Sequence, residues 1–410
     1  MASLSHADVV QLLVQLGIML IAGRLFAELA RSINQPAVVG EILAGIILGP
    51  TILGTLHPDS FAYLFPSSGG SGIVLTGFVQ IAVVMLLFIA GLEVDLHIVL
   101  QQGRQAVTTS ILGLIVPFGL GFVFPYYFPE FFGIIDIDER LAFALFMGTA
   151  MAISALPVIV RILMDLNMFR SRMGLLVVAS AMVDDVIGWM IFSVILSMIG
   201  QGTGMPIWKT VLLTLGFAAF TLTIGRGLLN RVLPWVNKKL AWPGGVLSLS
   251  LALCFLAAAF TEYIGIHAVF GAFIVGVALG DSEHFSERAK EIVHQFINNI
   301  FAPLFFVSTG LRVNFLTNFD GVLTLVIILI AFLGKVAGAG FGARLGGFSV
   351  RESFAAGFGL NARGAMGIIL GLIGLESGLI SEEVFVSLVV MALFTSITSG
   401  PMMRISLGKD

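Results

Sequence analysis

Thirteen stretches of the chain are apolar over the length of a bilayer-crossing helix, with polar turns between them. They lie near 9–31, 36–54, 73–98, 104–127, 138–165, 171–200, 206–233, 244–264, 266–282, 290–312, 320–343, 350–375 and 383–405. Each approaches or exceeds the roughly 20 residues that span a hydrocarbon core. The pattern predicts an all-α polytopic membrane protein of about thirteen transmembrane helices. The seventh window runs into the amphipathic stretch GRGLLNRVLPWVNKKLAW, and the polar stretch EHFSERAKEIVHQFINN at 283–299 reads as an interfacial segment that then turns inward.

Two windows are interrupted. The fifth contains GTAMAISALPVIV, with Thr149, Ser154 and Pro157, and the twelfth contains GFGLNARGAMG, with four glycines, Asn361 and Arg363. Proline removes a backbone donor and glycine loosens a helix, so both stretches are candidates for unwinding. Irregular backbone at that depth is tolerated only where protein or a water-filled cavity covers it. With the seventh window as a linker, each interruption falls in the fifth helix of a six-helix half. Corresponding broken helices predict two inverted six-helix repeats crossing at a midplane site; the plainer alternative is two kinked packing helices.

Composition sharpens this picture. Of 410 residues, 58% are hydrophobic and 11% charged, with a mean hydropathy of +1.05, against about 25% charged in soluble domains. Sixteen of the 21 Lys and Arg fall on one set of loops and helix ends: Arg24, Arg31, Arg104, Arg161, Arg170, Arg172, Arg226, Arg231, Lys238, Lys239, Arg288, Lys290, Arg344, Arg351, Arg404 and Lys409. By the positive-inside rule that side is cytoplasmic, which places the N-terminus outside and the C-terminus inside a cell membrane. An odd number of spans requires the same result. The single cysteine, Cys254, excludes an internal disulfide or cysteine metal cluster. No cleavable signal, phosphate-binding loop or nucleic-acid-binding feature is present, and membrane lipids are the expected surroundings. Neither a catalytic triad nor a metal-ligand cluster presents itself, so the chain does not read as an enzyme, and no cofactor is expected.

Against this background Asp184 and Asp185, in ASAMVDDVIGWMIFSVIL, stand out. One aspartate at a helix centre costs about 2.5–3.5 kcal/mol even on lenient scales. Two in succession point to binding something small and positive.

Five stretches carry a resemblance: INQPAVVGEILAGIILGPTILG at 33–54, LLFIAGLEVDL at 86–96, AISALPVIVRIL at 152–163, SAMVDDVIGW at 180–189 and LNARGAMGIILG at 360–371. Together they resemble the second monovalent cation:proton antiporter family, with its Kef-type, NapA-type and plant cation/proton exchanger branches. The resemblance implies an NhaA/NapA-like fold and a homodimer. It also implies a mobile core domain, about 73–200 and 290–405, and a dimerisation domain, about 9–54 and 206–282. Crossed broken helices in the core would hold the ion site and move as an elevator. Many relatives continue into a cytoplasmic regulatory domain; this chain stops at ISLGKD, with no such domain in it.

The transported species would be Na+ or K+ against H+. Desolvation penalises the ionised form of a buried carboxylate, so proton and metal ion compete for the oxygens of Asp185, the expected cation ligand. The hydroxyls of Thr149 and Ser154, with backbone carbonyls, would complete its coordination. Asp184 points about 100° away and should pair with Lys335. By resemblance to the NapA-type pattern, cation arrival breaks that pair, and an Asp-Asp sequence with lysine implies electrogenic exchange. Whether Lys335 carries a proton or only a charge stays open. The alternative is an electroneutral Kef-type K+/H+ exchanger or a K+ efflux pathway; a channel or an organic-anion symporter fits the midplane acids less well. Arg363 could balance helix-end dipoles at the crossing or tie a core helix to a loop acid, and Asn361 could line it. Glu41, Glu93 and Asp95 read as solvated helix ends that could also form a cation-attracting funnel. Glu262 and His267 read as an exposed turn that could sense pH.

Overall fold

The computed structural model describes residues 4–33, 35–66, 69–134, 140–166, 168–169, 171–198 and 207–408. Arg170 and Lys409 of the basic set, Asn34 of the first family stretch, and the 138–139, 199–200 and 206 ends of three windows lie outside the described residues. The described residues form helices in the order α1 His6–Ser32, α2 Ala37–Leu48, α3 Leu53–Leu56, α4 Pro58–Leu64, α5 Gly70–Leu92, α6 Leu96–Tyr127, α7 Arg140–Ala152, α8 Leu156–Asp165 and α9 Arg172–Met198. The order continues with α10 Ile207–Phe220, α11 Arg226–Lys239, α12 Gly244–Tyr263, α13 Ala268–Gly280, α14 Glu287–Arg312, α15 Gly321–Leu345, α16 Val350–Leu360, α17 Gly364–Glu376 and α18 Glu382–Ser406. Polar residues set several starts: Ser5 with Asp8 and Ser349 with Glu352 form capping boxes, and Asp320 accepts from the first amides of α15.

Ten helices among the described residues are long and apolar enough to cross a membrane, or eleven if α16 and α17, bent by 43°, form one span. Two further apolar helices, α7 and α13, are shorter. The chain is all-helical and multi-pass. Both interrupted windows break where the sequence suggests: α7 stops at Ala152 and α8 starts at Leu156, while α16 stops at Leu360 and α17 starts at Gly364. Pro157 lies in the first turn of α8 rather than inside a helix, where its missing amide costs nothing.

The seventh window runs into its amphipathic stretch as one long apolar helix, Trp208–Lys239, with a π-turn at Thr221–Gly225. Leu229, Leu233 and Val236 bury one face while Arg231, Lys238 and Lys239 face outward, and that periodicity prolongs the helix. The polar stretch at 283–299 joins the tenth window without a break. From Glu287 it is the first half of α14, which runs unbroken through Pro303 to Arg312, with Ala289, Val293 and Ile297 buried one turn apart.

The chain divides into two compact units. One comprises Met1–Leu86 and Glu291–Phe319, and it packs Met19, Ala44, Leu304 and Val307 into its core. The other comprises Leu87–Lys290 and Asp320–Asp410 and contains both helix breaks and both aspartates. In this second unit α15 lies directly on α6. Gly334, Gly338 and Gly342 recur every fourth residue and meet Pro117, Leu112 and Thr108–Thr109, a small-residue face that lets two backbones approach. A Cβ on Gly338 would lie 2.3 Å from the Leu112 carbonyl oxygen. Gly338→Ala is therefore expected to destabilise by about 1–3 kcal/mol through overpacking. Gly119→Ala on α6, where a Cβ meets nothing within 4 Å, should stay within about 0.5 kcal/mol. Thermal unfolding of the two purified variants would separate them.

Candidate functional site

Helix α9 brings Asp184 and Asp185 to the two breaks. Gly188, one turn beyond Asp184, passes so close to the first break that a Cβ there would lie 2.4 Å from Cγ1 of Ile153. The breaks themselves are joined. The Ala155 amide donates to the Ala362 carbonyl (2.7 Å), and the Ser154 hydroxyl donates to the Leu360 carbonyl (2.8 Å). Each unwound stretch thus supplies partners that the other lost when its helix stopped.

Charge is distributed around this junction in a definite order. Lys335, on α15, places Nζ 2.6 Å from Asp184 Oδ2 and 2.6 Å from the Ala152 carbonyl oxygen at the end of α7. Arg363, in the second break, donates to the Ile153 carbonyl (3.2 Å) and the Ala331 carbonyl (2.8 Å). Two cations therefore meet the C-terminal end of α7, where aligned peptide dipoles leave partial negative charge. Of the two readings open for Arg363, these bonds match the helix-end one. Asp184, Asp185, Lys335 and Arg363 all have 0% relative exposure.

The adjacent acids differ sharply. Asp184 is engaged on both oxygens: Oδ2 accepts from Lys335, with Ser154 Oγ 3.1 Å away sharing its one hydrogen with the Leu360 carbonyl, and Oδ1 accepts from Ser110 Oγ at 2.6 Å. Asp185 is equally buried, yet neither of its oxygens accepts a hydrogen bond from any described residue. The nearby charges that act on it are the acids Asp184 and Glu93 and the more favourable Lys335. A buried carboxylate without donors is costly unless a proton or a cation neutralises it.

Thr149 is buried on α7, its hydroxyl hydrogen spent on the Leu145 carbonyl (2.8 Å), which leaves the oxygen lone pairs available as ligands. Asn361 is buried at the second break, and neither its amide oxygen nor its nitrogen has a described hydrogen-bond partner. No hydrogen bond joins Thr149 or Asn361 to either aspartate among the described residues. Nor do those residues contain a group of three or more His, Cys, Asp or Glu able to hold a metal ion. A cation here would rely on hydroxyl, carbonyl and carboxylate oxygens, the ligands that hard cations take.

Several residues behave differently from their sequence reading. Ser110 carried no signal beyond the run Thr108-Thr109-Ser110, and only the packing of α6 on α9 selects it. Glu41 is 7% exposed and so is not a solvated helix end, whereas Glu93, just past the end of α5, is half-buried. Glu262 and His267 cap α13, accepting from the Ala268 and Val269 amides at 2.8 and 3.4 Å.

Breaking one side of a fully buried ion pair strands the other charge, at about 3–5 kcal/mol. Lys335→Ala should lower thermal stability accordingly. Combining it with Asp184→Asn should cost less than the two single penalties summed, as measured by unfolding of the purified variants. Strictly additive penalties would mean that the two side chains are not coupled.

The transmembrane sodium/hydrogen exchanger family matches residues 17–407. The chain is 30% identical over 394 residues to the Na(+)/H(+) antiporter NhaS4 of a Synechocystis strain, covering 95% of both proteins. It is 28% identical to the Na(+)/H(+)-K(+) antiporter GerN of Bacillus cereus, covering 96% of each. To the Arabidopsis thaliana Cation/H(+) antiporter 17 it is 31% identical, and there it spans 48% of the relative's length. The solved structure of the sodium proton antiporter MjNhaP1 from Methanocaldococcus jannaschii shares the fold, with a TM-score of 0.67 over 98% of each chain at 17% identity. The chain therefore belongs to the sodium/hydrogen exchanger family, of the second monovalent cation:proton antiporter type, and is a monovalent cation/proton antiporter rather than an enzyme.

Proposed function

We propose that Asp185 is the group for which H+ and Na+ or K+ compete, and that exchange is electrogenic with alternating access of the elevator kind. The observation that carries this is the contrast within one pair: two fully buried neighbours, one saturated with donors and the other with none. A proton or an alkali ion neutralises Asp185; the empty, charged form is the one penalised inside the membrane. The loaded forms can therefore move and the unloaded form is held back, which couples the two fluxes.

Charge balance supplies the electrogenic part. With Asp185 protonated and Lys335 paired to Asp184, the cluster is neutral. A cation seated on both aspartates displaces the Asp185 proton and frees Lys335, which releases a second proton. Two protons leave as one cation binds, so each cycle moves net charge. Thr149 and Ser154 contribute oxygens to the cation, and Arg363, with Asn361 beside it, offsets the dipole ends at the crossing. The core segments carrying this site move against a dimerisation domain in a homodimer of thirteen-span subunits. The N-terminus lies outside the cell membrane and the C-terminus in the cytoplasm. The ions in the relatives' names, Na+ in NhaS4 and both Na+ and K+ in GerN, fit an oxygen-lined site of this kind.

In proteoliposomes with an imposed pH gradient, Na+ or K+ is expected to collapse the gradient, and Asp185→Asn to reduce the response to that of empty vesicles. Identical responses from wild type and Asp185→Asn would refute the assignment. A voltage-sensitive dye should report charge movement during exchange; its silence would instead indicate electroneutral K+/H+ exchange.

A further inference from the structure

Ser110 is the last of three consecutive hydroxyl residues on α6. Helical Ser and Thr ordinarily return their hydroxyl hydrogen to a carbonyl three or four residues back. Thr108 does so to Arg104 (2.9 Å), and Thr109 to Gln105 (2.8 Å). Ser110, fully buried, instead donates across to Asp184 Oδ1 on α9 at 2.6 Å. The Ala106 carbonyl, four residues before Ser110, accepts from Ser180 of α9 at 3.2 Å. Two bonds in opposite directions, one helical turn apart on each helix, thus lock α6 to α9.

Counting donors shows what Ser110 supplies. Ser154 has one hydroxyl hydrogen, and the Leu360 carbonyl is nearer to it (2.8 Å) than Asp184 Oδ2 is (3.1 Å). When that hydrogen goes to Leu360, Asp184 retains Lys335 on Oδ2 and Ser110 on Oδ1. Among the described residues Oδ1 has no donor besides Ser110. The charged groups around Asp184 are Lys335 of α15, Arg363 of the second break and Asp185 on its own helix, with Glu93 acting on Asp185 in turn. From α6 the contact is this one neutral hydroxyl.

We propose that Ser110 is a positioning residue for exchange: its hydrogen bond holds Oδ1 of the Asp184 carboxylate in place while Lys335 binds and releases Oδ2. The proposal rests on the reading that the Asp184–Lys335 pair opens during the cycle. Without it, the carboxylate is free to turn as the Lys335 pair opens, and the arriving cation meets one fewer fixed oxygen.

The test is cation-driven dissipation of a pH gradient in proteoliposomes, measured across cation concentration for wild type, Ser110→Ala, Ser110→Thr and Ser110→Cys. Thr keeps the donor, and Cys keeps nearly the same size with a much weaker donor. In Ser110→Ala the apparent KM for the cation should rise roughly tenfold, the scale of one hydrogen bond to a charged group, while the maximal rate stays within about twofold. Ser110→Thr should match wild type and Ser110→Cys should fall between; if the Ala protein cannot be recovered, the Cys–Thr difference decides. Ala and Cys profiles that superimpose on wild type, or a Thr shift as large as that of Ala, would overturn the proposal. Asp185→Asn in the same assay separates the two readings. Cation exchange by wild type that Asp185→Asn abolishes, together with unshifted Ser110 variants, removes only the Ser110 proposal; a wild type inactive with every cation removes the reading beneath it.

Discussion

A carboxylate and an ammonium stand 2.6 Å apart in the second unit, both without solvent exposure. Removing either charge from water costs several kcal/mol, and their mutual attraction repays that only if the remaining lone pairs and protons find partners. Here they do. Lys335 also reaches the Ala152 carbonyl, and Asp184 takes the Ser110 hydroxyl of α6. The pair therefore needs α6, α7, α9 and α15 in register at once, and the close approach at Gly338 makes that register possible.

The same cations serve a second purpose. Stopping two helices inside an apolar region leaves carbonyls that water cannot reach. Lys335 and Arg363 take those of Ala152 and Ile153, while Ser154 and the Ala155 amide take those of Leu360 and Ala362. Broken helices and buried charges are thus mutually dependent: the breaks would be orphaned without the charges, and the charges would lack ligands without the breaks. Asp185 stands outside this closed network, and its proposed role as the ion-binding group rests on that contrast.

Much of this was legible in the residues. Charges are so rare in the apolar windows that Asp184, Asp185, Lys335 and Arg363 pick themselves out, and a lone lysine must find an acid. Glycine, proline and hydroxyl residues marked both breaks to within a few positions. Ser110 and Glu41 were not legible, because a hydroxyl or a carboxylate near a helix end looks the same whether it meets water or a neighbouring helix. The continuity of α14 through 287–299 was hidden because its polar face resembles an interfacial segment, and only the buried Ala289, Val293 and Ile297 reveal the packed side.

Lipid is as apolar as the protein interior, so hydrophobicity locates a helix in the membrane without saying which of its faces meets another helix. On α1, Leu13 is 64% exposed whereas Gln15 is fully buried. The sequence by itself determined the rough position of the apolar segments, the two interruptions and the presence of costly charges, since these follow from the transfer of residues out of water. Tertiary structure decided which hydroxyl faces Asp184, which carbonyls the cations cap, and that Asp185 alone of the two acids is left without donors. Those outcomes depend on the rotation and close approach of helices, which the glycine contacts and buried polar bonds set and which hydropathy does not encode.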